Sequence, residues 1–338
     1  MAHSNISIFV PHAGCMFRCS FCDQNTISGE HSLPHGDDVE RICRQAVSEI
    51  QDPHNTEIAF FGGSFTAIEH SYMTELLEAA KPFVGESGFK GIRISTRPDF
   101  IDDEILELLK KYGVTSIELG AQSLDDRVLE SNHRGHTASD IYKACELIKK
   151  YGFEIGLQLM IGLYKSDEGI ELSNLEQVLA IKPDTVRIYP VVILENTLLG
   201  KLLRSGEYNP MSMESVIVIC SKMLLAFEQS GIKVIKCGLH ASEFVERDMI
   251  GGFYHPAFRE LCESRIYKDA IDSELQNAGI SSAVKGERLK LTVAVSPDCI
   301  SKAAGHKRSN IEYYKSIGID IKLAADGSIP RYLCEIRR

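Results

Sequence analysis

The sequence predicts an α/β fold, a partial (βα)6 barrel of the TIM type followed by a small C-terminal α/β module. Three observations carry this. Short β-rich runs alternate with helical patterns over the first 240 residues, the sign of βαβ units and a parallel sheet. Gly113, Gly152 and Gly231 each close an apolar-periodic run as helix stops, and Asp102 and Ser139 stand where N-caps belong. The chemically distinctive residues fall just after the strands, the side on which such barrels place their chemistry.

In chain order, the first strand, Ile6–Pro11, runs into Cys15-Met16-Phe17-Arg18-Cys19-Ser20-Phe21-Cys22. Three thiolates on one short loop can hold three corners of a cubane [4Fe–4S] cluster, which usually takes four. The fourth iron is then open to a small molecule. Cys19 and Cys22 alone also suit a redox dithiol or half a zinc site, but no second CxxC or His-rich partner follows.

A helix near Asp38–Ile50 leads to strand Glu57–Phe61 and to Gly62-Gly63-Ser64. Two glycines there let backbone approach a ligand closely, or make a plain turn. Helix Tyr72–Phe83 and strand Gly91–Ser95 precede Thr96-Arg97-Pro98-Asp99. Helix Asp103–Tyr112 and strand Ser116–Leu119 precede Gly120-Ala121-Gln122-Ser123 and then Asn132-His133-Arg134-Gly135-His136-Thr137. Helix Ser139–Tyr151 is followed by strand Glu154–Met160, which carries Gln158 and ends in Ile161-Gly162-Leu163. Helix Glu171–Ala180, strand Thr185–Tyr189, helix Ser212–Gln229 and strand Lys233–Ile235 complete six βα units and a closing strand.

Residues 241–284 read as a linker and helical cap centred on Gly251-Gly252-Phe253-Tyr254-His255-Pro256. Its aromatics either close the barrel's open side or form a packed plug. His240 and His255 are candidates for proton transfer, because imidazole titrates near neutrality. Residues 285–338 read as strand Leu289–Val295, a turn, a helix from Ile300 to Ile311 and strand Ile319–Leu323. The expected domains are thus 1–240, 241–284 and 285–338. The last holds eleven Lys/Arg against six Asp/Glu, a net of +5 that leaves −15 on the 284 residues before it.

With 338 residues and 44% hydrophobic content the chain can bury a full core. No apolar run approaches the length needed to span a bilayer, and the N-terminus lacks a signal peptide's basic and apolar regions. A cytoplasmic address follows, and the seven cysteines outside the loop read as buried free thiols. The overall charge of −10 argues weakly against a nucleic-acid partner; the basic tail argues the other way.

CxxxCxxC with Phe21 before its last cysteine closely resembles the signature of the radical S-adenosylmethionine (SAM) enzymes. In that family an electron from the cluster splits the sulfonium of SAM and yields a 5′-deoxyadenosyl radical. TRPD, IELGAQS, RGHT, a GL-type turn, IYP and SGEY, in that order over about residues 5 to 240, resemble the radical domain of the Elongator catalytic subunit family. The oxygen-independent coproporphyrinogen oxidases are the next nearest group. The resemblance implies two cofactors, a [4Fe–4S] cluster and SAM, and an electron donor such as flavodoxin or ferredoxin. It implies Cys15, Cys19 and Cys22 as cluster ligands, Phe21 near the adenine, and Gly62 and Gly63 receiving the amino group of SAM. Gln122, Arg134 and Gln158 would contact ribose and carboxylate, with Ile161 in the same pocket and Tyr189 near the radical.

Two departures stand out. Ser95 occupies the place of a family carboxylate, and nothing after residue 240 has the length of Elongator's acetyltransferase domain, so carboxymethylation of wobble uridine is not implied. The tail resembles a KH core, whose GxxG loop clamps a nucleotide backbone. Arg308 replaces its second glycine, and Lys302, Lys307 and Arg308 are the expected phosphate contacts. RNA modification is the leading expectation. A small-molecule substrate such as a tetrapyrrole, or a non-catalytic iron–sulfur RNA-binding or sensor protein, is the alternative.

Overall fold

The computed structural model describes residues 4–15, 18–24, 26, 32–239, 243–280 and 288–337. Seven parallel strands form one sheet in sequence order, β1 (Ser4–Val10), β2 (Thr56–Gly62), β3 (Gly91–Thr96), β4 (Val114–Gln122), β5 (Glu154–Ile161), β6 (Thr185–Pro190) and β8 (Lys233–Cys237). β7 (Val192–Leu194) leaves this sheet to pair antiparallel with β9 (Met249–Gly252).

The two faces of the sheet differ in kind. Ile58 and Phe60, Ile92 and Ile94, Ile117 and Leu119, Ile155 and Leu157, and Val186 and Ile188 form one buried apolar face. Alternating with them are Glu57, Arg93, Glu118, Gln158 and Arg187. Period-2 alternation puts these on the other face. The helices of this region are α1 (Gly36–Glu49), α2 (His70–Ala80), α3 (Asp103–Lys111), α4 (Asp126–Ser131), α5 (Ala138–Tyr151), α6 (Glu168–Ile181), α7 (Leu198–Ser205) and α8 (Met213–Gln229), whose buried apolar residues join that face in one core. The polar face lines the hollow of a partial barrel.

Charges in that hollow answer one another. Arg93 Nε lies 2.7 Å from Glu57, its Nη2 2.6 Å from Glu154 and its Nη1 3.2 Å from Glu118. Arg187 forks onto Glu118 at 2.8 and 2.9 Å and lies over the Phe61 ring. Coulomb attraction to Arg187 and Arg93 holds the Glu118 carboxyl below its ordinary pKa against full burial. Removing one member would strand a buried charge, a loss of about 3–5 kcal/mol.

The expected strands and barrel helices are present with ends shifted by a few residues. Asp102 caps α3 through Ile105 N at 2.8 Å. Thr137, not Ser139, caps α5, because Thr137 and Asp140 form a reciprocal capping box. The stretch expected as a linker and helical cap holds α9 (Glu243–Asp248) and the 20-residue α10 (Phe258–Asn277). α10 was illegible as an amphipathic stripe because it is covered on more than one side: Ser221 Oγ of α8 reaches Cys262 O at 3.1 Å, and Tyr332 N of the tail reaches Tyr267 Oη at 2.9 Å.

In the tail, β10 (Leu289–Val295) lies between parallel β11 (Ile319–Ala325) and antiparallel β12 (Cys334–Arg337). The single helix expected there is two, α11 (Ile300–Ala304) and α12 (Ser309–Ser316), broken at Gly305 with φ +85. Among the described residues no helix is long and apolar enough to cross a membrane.

Candidate cofactor site

The cysteine loop leaves β1 through Gly14, whose left-handed φ of +70 brings the chain against β2's end: a Cβ there would meet Ser64 O at 2.3 Å. A Cβ on Gly63 would meet Ala13 O at 1.9 Å. Gly63 N donates to Val10 O and Ser64 N to Ala13 O, both at 2.9 Å. The double glycine therefore lets the cysteine loop dock, and the Gly62 carbonyl already accepts from Gln24 Nε2 at 2.5 Å.

Ser20, between two of the cysteines, is held on three sides. Its N and Oγ donate to Asn132 O and Oδ1 at 3.1 and 2.7 Å, and its carbonyl accepts from Leu199 N at 2.7 Å. Asn132 Nδ2 also donates to Tyr164 O at 2.9 Å, so one buried amide ties the cysteine loop to the loops after β4 and β5. Glu171 adds a second tie. It accepts from Gly162 N at 2.9 Å and Ser166 Oγ at 2.6 Å, and its neighbour Asn174 accepts from Leu124 N at 2.9 Å. Burial pushes the Glu171 carboxyl up to about 7.

The three thiols lie close enough to perturb one another. Burial and then Cys19 and Cys15 push the Cys22 thiol up to about 12, and burial followed by Cys19 raises Cys15. Metal binding turns coordinating thiols to thiolate. Among the described residues no three His, Cys, Asp or Glu side chains converge on a single ion. A cubane asks something else, that each thiolate bond a different iron.

Arg134 is the cationic partner. Its Nη1 lies 3.0 Å from Cys19 Sγ and its Nη2 donates to Gly120 O at 2.5 Å, while its buried Nε has no partner among the described residues. Gln122, with a left-handed φ of 64, ends β4 beside it; a Cβ on Gly120 would meet both Gln122 Nε2 and Arg134 Nη2. An orphaned guanidinium nitrogen beside three cysteines is a good fit to an anionic ligand at the cluster's open iron.

Other expected residues lie further off or are already engaged. Gln158 Nε2 donates to Ser95 Oγ at 3.2 Å and Glu118 Oε2 at 2.8 Å, so its amide nitrogen is spent on the barrel wall. Tyr189 stands beside Arg187 in the hollow, and burial raises its phenol. Phe21 and Ile161 are both packed into the core. His255 stacks edge-on against His306 of the tail at 5.3 Å; His240 lies outside the described residues. Lys302 Nζ is 3.3 Å from the buried Glu263, whereas Lys307 and Arg308 are exposed.

Two family models match the chain, the radical SAM superfamily over residues 9–173 and the radical SAM C-terminal domain over residues 183–268. The chain belongs to the radical SAM superfamily. Membership makes it a radical SAM enzyme, with the family's cofactors, a [4Fe–4S] cluster and SAM. A tRNA uridine(34) acetyltransferase of Methanocaldococcus jannaschii is 36% identical over 198 residues, 52% of this chain and 37% of that one. The protein of the same name from Dehalococcoides mccartyi is 32% identical over 239 residues, 61% and 52% respectively. The radical SAM chain thus spans about half or less of these relatives. Among solved structures, an archaeal Methanocaldococcus infernus Elp3 superposes with a TM-score of 0.60 at 20% identity, covering 83% of this chain and 65% of that one. The coproporphyrinogen III oxidase HemN of Escherichia coli gives 0.51 at 18%, covering 68% and 53%. At such identities the likeness is one of fold.

Asn132, Glu171 and Asn174 were not singled out as site residues from sequence. Asn132 stood in view in the NHRGHT run; what was missing was the fold that sets it against Ser20.

Proposed function

We propose that this radical SAM enzyme cleaves SAM reductively and modifies RNA, either tRNA or rRNA. The observation that carries the reading is Arg134, whose Nη1 meets Cys19 Sγ and whose Nη2 meets Gly120 O while its buried Nε has no partner among the described residues. In this reading Cys15, Cys19 and Cys22 hold the cluster, which when bound supplies the electron that splits the sulfonium. Arg134 clamps the carboxylate of SAM, the Gly62–Gly63 backbone borders its amino group, and Gln122 and the oxygen of Gln158 face the ribose. Phe21, Ser95 and Ile161 complete the pocket, with Ile161 held through Glu171. Tyr189, protonated at neutral pH, faces the hollow in which a substrate would lie.

RNA as substrate is supported by the relatives named for tRNA and by exposed Lys307 and Arg308 on an otherwise acidic chain. We divide the protein at residues 240 and 285, with the tail as the RNA-facing part, a flavodoxin or ferredoxin as electron donor, and a cytoplasmic address to match.

Anaerobic reconstitution tests the chemistry. The protein should hold about one cluster and release 5′-deoxyadenosine with SAM and a reductant. Cys15→Ala, Cys19→Ala or Cys22→Ala should abolish both, and Arg134→Ala should keep iron while losing about ten- to a hundredfold in SAM affinity. Cleavage unchanged in all three cysteine variants refutes the assignment. Mass spectrometry of RNA from cells with and without the protein tests the substrate; identical nucleoside profiles refute RNA and favour a small molecule.

A further inference from the structure

Two cations of the barrel hollow already have their anions. Arg93 meets Glu57, Glu118 and Glu154, and Arg187 forks onto Glu118, which also accepts from Gln158 Nε2. Lys236 on β8 does not. Among the described residues its half-buried ammonium has no ion pair and no hydrogen bond, and the charge it feels most is the like charge of Arg187.

The strand ladder slips to put it there. β8 pairs with β6 first as Val186 with Val234 and then as Arg187 with Lys236, so one extra residue, Ile235, is taken up on β8. Without the slip, Lys236 would share the face of Val234, two residues before it, which is the buried apolar one. With the slip, Lys236 stands beside Arg187 on the polar face, and Cys237 returns beside Ile188 to the apolar face. An extra residue in a strand re-aims the side chains after it, a device common next to active sites.

The surroundings say what kind of ligand fits. β8 is the last strand of the sheet and β1 the first, so Lys236 lies at one lip of the barrel's open side. At the other lip Phe9 of β1 and Phe61 of β2 stand side by side, both half-buried, with ring centroids 6.3 Å apart. Arg187 reaches the Phe61 ring from β6 at 5.1 Å, so the hollow between the lips is narrow. Burial and Arg187 lower the pKa of Lys236, and packing alone gives no reason to keep an unpaired charge in such a place. A cation facing aromatic rings suits a molecule that carries a flat ring and an anion together, as a nucleotide does.

We infer that Lys236 is a substrate-contacting residue, whose ammonium meets a phosphate of the RNA strand as one nucleotide enters the hollow. The inference rests on the reading that RNA is the substrate, and it names the side of the barrel on which the strand is held.

The test is filter binding of tRNA, and separately of rRNA, to the reconstituted protein with SAM over a series of salt concentrations. Lys236→Gln should weaken binding of the substrate RNA about tenfold and flatten the slope of log K against log salt by about 0.7 to 0.9. Lys236→Arg, which keeps the charge, should hold the parent's slope. A parent that binds neither RNA overturns the RNA reading and this contact with it. A parent that binds, with a Lys236→Gln protein of the same affinity and slope, overturns the inference alone. Weaker binding at the parent's slope also overturns it, as the mark of a structural role, and so does a Lys236→Arg protein that behaves as Lys236→Gln. Iron content reports the fold: should Lys236→Gln retain less iron than the parent, Lys236→Met carries the same comparison, and iron lost in both shows that Lys236 holds the barrel together and refutes the contact.

Discussion

Glu171 shows how a single buried group can serve a site it does not touch. At 1% exposure it accepts from Gly162 N and Ser166 Oγ, and burial lifts its pKa to about 7. Between about pH 4.5 and 7 the folded protein therefore keeps a proton that the unfolded chain has released, so this residue's contribution to stability is present below pH 4.5 and is lost as pH rises through 7. Glu171→Gln keeps the acceptor and removes the titration. Its stability relative to the parent should climb between pH 5 and 8 by up to about 3 kcal/mol, read from urea unfolding at several pH values. A difference that does not vary with pH would show that Glu171 is ionised throughout. Taking the difference also cancels His136, whose pKa is depressed by burial and which acts in the opposite direction.

At the scale of elements, the cysteine loop and β2's end are one unit. Gly63 keeps a side chain out of the path of Ala13 O. Gly63→Ala forces the two segments apart, at an overpacking cost of about 1–3 kcal/mol, and should lower the iron retained after reconstitution well below the parent's. Gly152→Ala is the control. That glycine closes α5 at φ +78 with open space around it, so alanine there costs stability of about 1 kcal/mol and should leave the iron content alone. Equal iron in both would mean that the loop seats without Gly63. The same contrast explains what sequence could reveal. Cys15, Cys19 and Cys22 are legible because their chemistry is written in contiguous spacing, and the strands because each alternates apolar and polar residues. Glu118 and Arg187 are 69 residues apart, and Ser20 and Asn132 are 112 apart. No local pattern announces such a meeting. The long α10 was hidden for the converse reason, since contacts on several sides erase the stripe that marks a surface helix.

Across the whole molecule, charge is segregated and α10 is the seam. Glu263, buried in that helix, takes Arg259 at 3.2 Å, Lys302 at 3.3 Å, Arg331 at 2.8 Å and the Tyr332 hydroxyl at 3.0 Å. Part of the tail's positive charge is thus spent on attachment to the barrel, which removes Lys302 from the expected phosphate contacts. Lys307 and Arg308 are different. Both are exposed, and both adopt left-handed backbone, φ 51 and 65, as the chain turns between α11 and α12. If RNA lies against this turn, each cation neutralised by a phosphate releases about 0.7 to 0.9 counterions. Replacing both by Gln should then flatten the slope of log K against log salt by about 1.4 to 1.8, measured by filter binding with tRNA at several salt concentrations. SAM cleavage without RNA should be unchanged, because neither side chain belongs to the cofactor site. Lys302→Gln should do the reverse: it strands Glu263 in part and lowers thermal stability, while the salt slope stays that of the parent. An unchanged slope in the Lys307, Arg308 double variant would place the RNA elsewhere on the chain, and absence of tRNA binding by the parent at low salt would return the question to a small substrate in the barrel hollow.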